Sequence, residues 1–251
     1  MLKFLYGKPA LAFGKSVCVA DLHIGYEFAL REKGVRLGSS LERMKGELVG
    51  LLDETEAERL ILLGDVKHSI PNPEKEELLE LRNFFSTLAE RAELVVVKGN
   101  HDGNMEAVAR EAKVFPSAGT VVDGVGLFHG NAWPPPEVVE QEWAVLGHSH
   151  PCVEVEDAEG RRMERAWVVG KADVKRLCEK YPKGNPKLGL VLMPAFNPLV
   201  GGYPLNKGAK TGMLGPFLAR GMFKFADAQI HLLNGVGIGK LSGLMKKGDL
   251  K

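Results

Sequence analysis

Cysteine is scarce in this chain: 251 residues hold only Cys18, Cys152 and Cys178, far apart and never in a C-x-x-C pair. An odd, scattered set supports neither a disulfide framework nor a thiolate metal site, and it points to a reducing cytoplasm. Long apolar runs are missing as well. No stretch approaches the roughly 18 uninterrupted apolar residues of a membrane span, so no membrane association is expected. The first residues, MLKFLYGKPALAFGKSV, have no apolar block before a small-residue cleavage site and read as the start of the fold, not as an export signal. Internal repeats, low-complexity tracts and long linkers are also absent, which leaves one domain over residues 1–251. Net charge is small, +1, but unevenly spread. Gly201 to Lys251 carries eight Lys/Arg against two Asp/Glu, so this last fifth is either a contact for a polyanion or a solvated basic tail. No aromatic platform or arginine-rich strip marks nucleic acid.

The first half repeats one pattern. Apolar runs at Ser16–Asp21, Leu60–Asp65 and Leu94–Asn100 read as buried strands. Between them, Leu41, Met44, Leu48, Leu51 and Leu52, then Leu78, Leu81, Phe85 and Leu88, recur at helical spacing. Ser39 with Glu42 forms a capping-box pair for the first helix, and Asn72-Pro73-Glu74 an N-cap with proline at the first helical position for the second. Strand, helix, strand, helix, strand predicts an α/β fold with a parallel sheet. After about Val114, short apolar runs come closer together: 120–122, 126–129, 143–146, 153–155, 167–169, 188–193 and 229–233. Such spacing predicts a β-rich half. Tyr203 to Phe223 shows no period and reads as a long loop.

Polar residues gather where these strands end. Asp21 and His23 close the first, Asp65 the second, and Asn100, His101 and Asp102 the third. His129 follows a later strand in FHGN, and His148 and His150 another in LGHSH. Ligands of open parallel sheets bind beyond the carboxyl ends of the strands, so these side chains are delivered to one edge. Six of the seven histidines lie in these strand-end segments; only His231 does not. Any one Asp or Asn here could merely cap a turn. Together they form a donor set of carboxylate, amide and imidazole without thiolate, suited to Mn, Fe, Co, Zn or Ni rather than Ca.

The ordered series D-x-H, GD, GNHD, an isolated His and GHSH, from Asp21 to His150, resembles the calcineurin-like metallophosphoesterase superfamily. DLHIGYE, GDVKH and PAFNPLVGG further resemble its small prokaryotic ICC-like, SbcD-related group. The resemblance implies a four-layer αββα sandwich of two mixed sheets flanked by helices, with two divalent metal ions at one edge, Mn ahead of Fe, Zn, Co or Ni. It implies that Asp21, His23 and His150 hold one ion, that Asn100, His129 and His148 hold the other, and that Asp65 bridges them. His101 would face the phosphoryl group as proton or hydrogen-bond donor, with Asp102 orienting it. The implied reaction is hydrolysis of a phosphoester, with a phosphodiester of a nucleotide or nucleic acid ahead of a monoester. A phosphomonoesterase acting on a phosphoprotein or small molecule, and a silent scaffold of the same fold, are the rival readings.

Several residues keep two readings. His68 either contacts substrate or makes a loop hydrogen bond, and Glu27 either lines the site or complements a helix start. Asn131 reads as a turn residue and His231 as structural. Lys207 and Lys210, in the irregular stretch, are candidates for reaching a polyanionic substrate. The cluster of Met213, Phe217, Met222, Phe223 and Phe225 reads as core or as the surface of a homodimer, ahead of a substrate pocket.

Overall fold

The computed structural model describes the chain apart from residues 36, 39, 69–74, 159, 209–214 and 246–251 and the side chains of 75–77, 157 and 203. Two short strands, β1 (Lys3–Leu5) and β2 (Ala10–Phe13), lead antiparallel into β3 (Ser16–Val19). From β3 onward the strands run parallel: β4 (Arg59–Leu63), β5 (Glu93–Val97) and β6 (Ala112–Phe115). Helices α1 (Tyr26–Glu32) and α2 (Leu41–Thr55) join β3 to β4, α3 (Lys75–Ala89) joins β4 to β5, and the short α4 (Met105–Val108) precedes β6. Sequence order equals spatial order in this six-stranded sheet.

The second sheet begins with β7 (Thr120–Val122), β8 (Val125–Phe128) and, after α5 (Pro136–Val139), β9 (Trp143–Leu146). A hairpin of β10 (Pro151–Asp157) and β11 (Gly160–Lys171) follows, then α6 (Val174–Lys180), β12 (Gly189–Leu192), β13 (Tyr203–Pro204), α7 (Gly215–Ala219), β14 (Gln229–Leu232), β15 (Gly237–Lys240) and α8 (Leu241–Leu244). Strands β8, β9 and β12 run parallel to one another, so their carboxyl ends share an edge.

Alternation along each strand sets the layers. Val17, Val19, Leu60, Leu62, Leu94 and Val96 pack against Met44, Leu48, Phe84 and Phe85 of α2 and α3. Their neighbours Cys18, Ile61, Leu63, Val95 and Val97 face Leu127, Val145, Trp167, Val191 and Met193 of the second sheet. That sheet's far side, with Ala144, Leu146, Leu190 and Leu192, packs on Val138, Leu177, Phe217 and Leu218 of α5, α6 and α7. The result is αββα. Each fully buried Leu, Val or Phe side chain is worth about 1.5–3 kcal/mol, and a one-residue slip in any strand would turn its set to the wrong face. Among the described residues no helix is long and apolar enough to cross a membrane.

The capping box and the N-cap at 72–74 rest on residues outside those described, as do Lys210 and Met213. Ser40 is the residue at the N-cap of α2, and its side chain makes no cap bond. Its amide and hydroxyl instead donate to Glu27 Oε1 at 2.7 and 3.0 Å, which places a carboxylate at the positive end of the helix. The stretch Tyr203 to Phe223, expected as a loop, carries β13, a 3-10 turn at Leu205–Lys207 and α7. Phe217, Met222 and Phe223 are buried in the second core.

Candidate metal centre

The loops beyond β3 and β4 are zipped together by main-chain bonds, from Asp21 N to Gly64 O (3.1 Å) and from His23 N to Asp65 O (2.8 Å). Loops of the second sheet join them: Gly147 N donates to His129 O at 3.1 Å, and His148 N to the Asp21 carboxylate at 3.1 and 3.2 Å. The chain bends sharply to do this. Asp21, His23, Asp65, His148 and His150 all have φ between 41° and 66°. For a residue other than glycine each such conformation costs about 1–2 kcal/mol. Five strained residues at one edge indicate a site that aims side chains at the expense of backbone comfort.

Three donor groups converge: an all-imidazole one of His23, His68 and His101, and two that include a carboxylate. In one, His150 Nε2 lies 3.2 Å from Asp21 Oδ1 and 3.4 Å from His23 Nε2. In the other, His129 Nε2 lies 3.3 Å from Asp65 Oδ2, with His148 alongside. Asp65 Oδ2 is also 3.7 Å from His23 Nε2, so this carboxylate touches both groups. Within each of Asp21, His23, His150 and Asp65, His129, His148, one donor atom per residue lies within 4.8 Å of the others, a spacing that could hold a metal ion.

Main-chain carbonyls fix how the rings face. His129 Nδ1 is 3.2 Å from Leu63 O, His150 Nδ1 3.2 Å from Gly201 O, and His101 Nδ1 2.7 Å from His68 O. A carbonyl only accepts, so each Nδ1 carries the hydrogen. That leaves Nε2 of His129 and His150 to present a lone pair to the cluster, the arrangement typical of imidazoles that bind metal. His129 Nε2 is fully buried without a hydrogen-bond partner, facing a carboxylate oxygen. Two lone pairs facing each other there call for a cation or a proton between them. The donors fit divalent ions of the Mn-to-Zn series.

Charge states agree. Burial works to raise the Asp21 and Asp65 pKa values, but the neighbouring His150 and His129 hold both carboxylates below their ordinary range. Burial, aided at His148 by the nearby His129, pulls His23 and His148 down to about 4, so both are neutral near pH 7. Burial alone would also lower His129, yet the Asp65 and Asp21 carboxylates raise it to about 9.

The remaining expected residues are placed as follows. Asn100 is exposed in the turn between Gly99 and His101. His101 donates its amide to Asp65 Oδ1 at 2.9 Å, and its ring stands 4.9 Å from that of His23. His68 stacks on His101 at 5.3 Å and sets its Nδ1 3.3 Å from His23 Nδ1, so it touches the site through its neighbours. Asp102 departs from its expected part. Its buried carboxylate accepts from the amides of Gly99 (2.8 Å), Val66 (2.9 Å) and Lys67 (3.2 Å), clamping two loops, while the His68 carbonyl fixes the His101 ring. Lys207 is tied to Glu154 at 2.7 Å and so does not stand as a free cation.

Gly99 shows how tightly the centre is built. A Cβ there would fall on the Asp65 carboxylate and its amide nitrogen. Gly99→Ala is therefore expected to cost about 1–3 kcal/mol through overpacking. It should also abolish most of the rise in melting temperature that saturating metal gives the parent. A variant stabilised by metal as much as the parent would show that Asp65 is not held where the ions bind.

Over 93% of its length the chain is similar in structure to the nuclease MPE of Pseudomonas putida, covering 96% of that chain at 20% identity with a TM-score of 0.58. The fold is that of the metallophosphoesterases. Fainter likenesses are to the Escherichia coli phosphoesterase Yfce (17% identity, 57% of this chain and 74% of that one, TM-score 0.37) and to a conserved uncharacterized protein, a predicted phosphoesterase, of Streptococcus pneumoniae (11%, 88% and 91%, 0.32). No family model and no curated protein matches the chain. Two residues of this metallophosphoesterase fold escaped the sequence reading. Asn197 is fully buried and donates Nδ2 to Leu22 O at 2.9 Å, bracing the segment between Asp21 and His23. Lys67 is also buried, with Nζ on His101 O at 2.6 Å. Both lie in runs that carry the resemblance, Asn197 in PAFNPLVGG and Lys67 in GDVKH, which were the usable signals.

Proposed function

We propose that this chain is a dinuclear metal-dependent phosphodiesterase acting on a nucleotide or nucleic acid. The observation that carries the reading is the convergence of Asp21, His23, Asp65, His129, His148 and His150 on one sheet edge with imidazole nitrogens turned inward. Asp21, His23 and His150 would hold one ion, His129, His148 and Asn100 the other, and Asp65 both. Mn is proposed first, with Fe, Zn, Co or Ni suited to the same donors. Bound there, two ions would supply Lewis acidity and positive charge to a phosphoryl group under displacement.

The chain's own residues do the rest. Asp21 and Asp65, ionised near neutral pH, provide the fixed negative charge that holds cations in place. His101, its Nδ1 held by the His68 carbonyl, is left with Nε2 to exchange a proton with the leaving oxygen. Asp102 keeps the loops bearing Asp65 and His101 in register. Support for a diester over a monoester comes from the nuclease of like fold and from the basic surplus of the last fifth of the chain.

Protein reconstituted with Mn and, separately, Zn should be offered an aryl diester, an aryl monoester, 2′,3′- and 3′,5′-cyclic nucleotides, and single- and double-stranded DNA. The diesters are expected to exceed the monoester in kcat/KM by tenfold or more. A monoester preference would make the chain a phosphomonoesterase, and metal binding without turnover would make it a scaffold.

A further inference from the structure

Between the loop after His129, α6 and the residues that follow α7, an open cavity of about 430 Å³ is lined by Trp133, Arg176, Glu179, Lys180, Arg220 and Met222. Three cations face one carboxylate there. Among the described residues, Arg176, Lys180 and Arg220 form no ion pair. Positive charge left unpaired around a concavity is what an anion-binding surface requires.

The groove is also held in shape. The Arg176 guanidinium donates to Arg220 O at 2.9 Å and lies against Gly221, where φ is +72° and a Cβ would meet it. Lys180 Nζ sits 4.0 Å over the Trp133 ring, and Trp133 leans edge-on against Phe217 of α7. Tyr181, next to Lys180, donates its hydroxyl to Pro134 O at 2.8 Å, locking the loop after His129 to α6. A guanidinium fixed before the ligand arrives loses little freedom on binding, and its fork matches phosphate oxygens.

Two connections tie the groove to the catalytic edge. Trp133 is four residues beyond His129, so their Cα atoms are at most about 14 Å apart. Gly215, the first residue of α7, packs on the backbone of Gly130 and Asn131, and the same short segment ends at Arg220. The Trp133 end of the groove is thus within reach of a short strand held at His129.

We infer that the groove of Arg176, Lys180, Arg220 and Trp133 binds backbone phosphates of a nucleic-acid strand whose scissile diester lies at the metal centre; this rests on the phosphodiesterase reading. Recognition there is of the backbone and not of bases. The Trp133 face is covered by Lys180, so it offers no free stacking platform, and the cations are indifferent to sequence. The groove also moves the expected polyanion contact. Lys207 is neutralised by Glu154, whereas Arg220, from the same basic last fifth, stands open.

The test uses the full chain and three variants: Arg176→Gln/Lys180→Gln, Arg220→Gln alone, and Lys8→Gln/Lys113→Gln as a distant control of equal charge loss. Affinity for a labelled single-stranded 20-mer is read by fluorescence anisotropy in EDTA across a salt series. KM and kcat for the unlabelled 20-mer and for bis(p-nitrophenyl) phosphate are then measured with Mn. The groove double variant is expected to bind the strand roughly tenfold more weakly near 0.15 M salt, with the slope of log affinity against log salt shallower by about 1.4, or about 0.7 per lost contact. Arg220→Gln should give about half that change in slope, and it carries the test if the double variant does not fold. Turnover of the small diester should stay within twofold of the parent. Strand affinity and salt slope equal to those of the control would overturn the groove, even if both substrates are cleaved. Weaker strand binding in a protein that cleaves no diester would uphold the groove and sink the phosphodiesterase reading alone.

Discussion

Asp65→Asn is expected to reduce hydrolysis at saturating metal by at least about 10³-fold, the rate equivalent of roughly 4 kcal/mol. The size follows from where the charge sits. Asp65 Oδ2 is within 3.3 Å of His129 Nε2 and 3.7 Å of His23 Nε2, so one carboxylate serves both halves of the centre. Its surroundings are buried, so the loss of a charge beside the two proposed cations would be poorly screened. Asparagine keeps the shape and can still accept the amide of His101, now 2.9 Å from Oδ1. A large loss in this variant therefore reports charge rather than packing. Steady-state rates over a metal titration decide it. A variant within tenfold of the parent at saturation would mean that Asp65 is not a shared ligand.

The second large effect concerns His101. His101→Asn should lower kcat by about 10²–10⁴-fold while leaving metal content unchanged. Its ring is fixed through Nδ1 to the His68 carbonyl, and only its main-chain amide touches Asp65. The ring is thus free to serve substrate. If it hands a proton to the leaving oxygen, the loss must depend on how much that oxygen needs one. Against an alkyl or nucleoside leaving group the full effect is expected; against p-nitrophenolate, a stable anion, it should shrink at least tenfold. An equal loss on both substrates would assign His101 to binding the phosphoryl group instead of to proton transfer.

Much of this centre was legible in the sequence because it lies where apolar runs of four to six residues stop. Asp21, Asp65 and the GHSH histidines follow β3, β4 and β9 closely, whereas the split of Ile61 and Leu63 from Leu60 and Leu62 between two cores could not be read from a run apolar throughout. Shorter elements were not legible. Strands β1 and β2 hold three and four residues amid Gly7, Pro9 and Gly14, too few for a period to show. The part played by Asp102 was also out of reach. The resemblance implied that it orients His101, whereas its carboxylate accepts main-chain amides, some from a loop 36 residues earlier. Contacts of that kind, like the carbonyls that orient His129 and His150, depend on backbone positions that no side-chain pattern encodes. The groove at Arg176 and Arg220 is assembled from segments 44 residues apart and has no local signature.

The most direct measurement of the central claim is the number of ions the centre holds. After equilibrium dialysis against Mn and removal of excess, elemental analysis of the parent should give about two equivalents per chain, the stoichiometry of two-metal hydrolases. In the same experiment Asp65→Asn should fall well below two. Two equivalents in the parent and a clear loss in the variant are the predicted result; a single equivalent, unchanged by Asp65→Asn, would contradict the account.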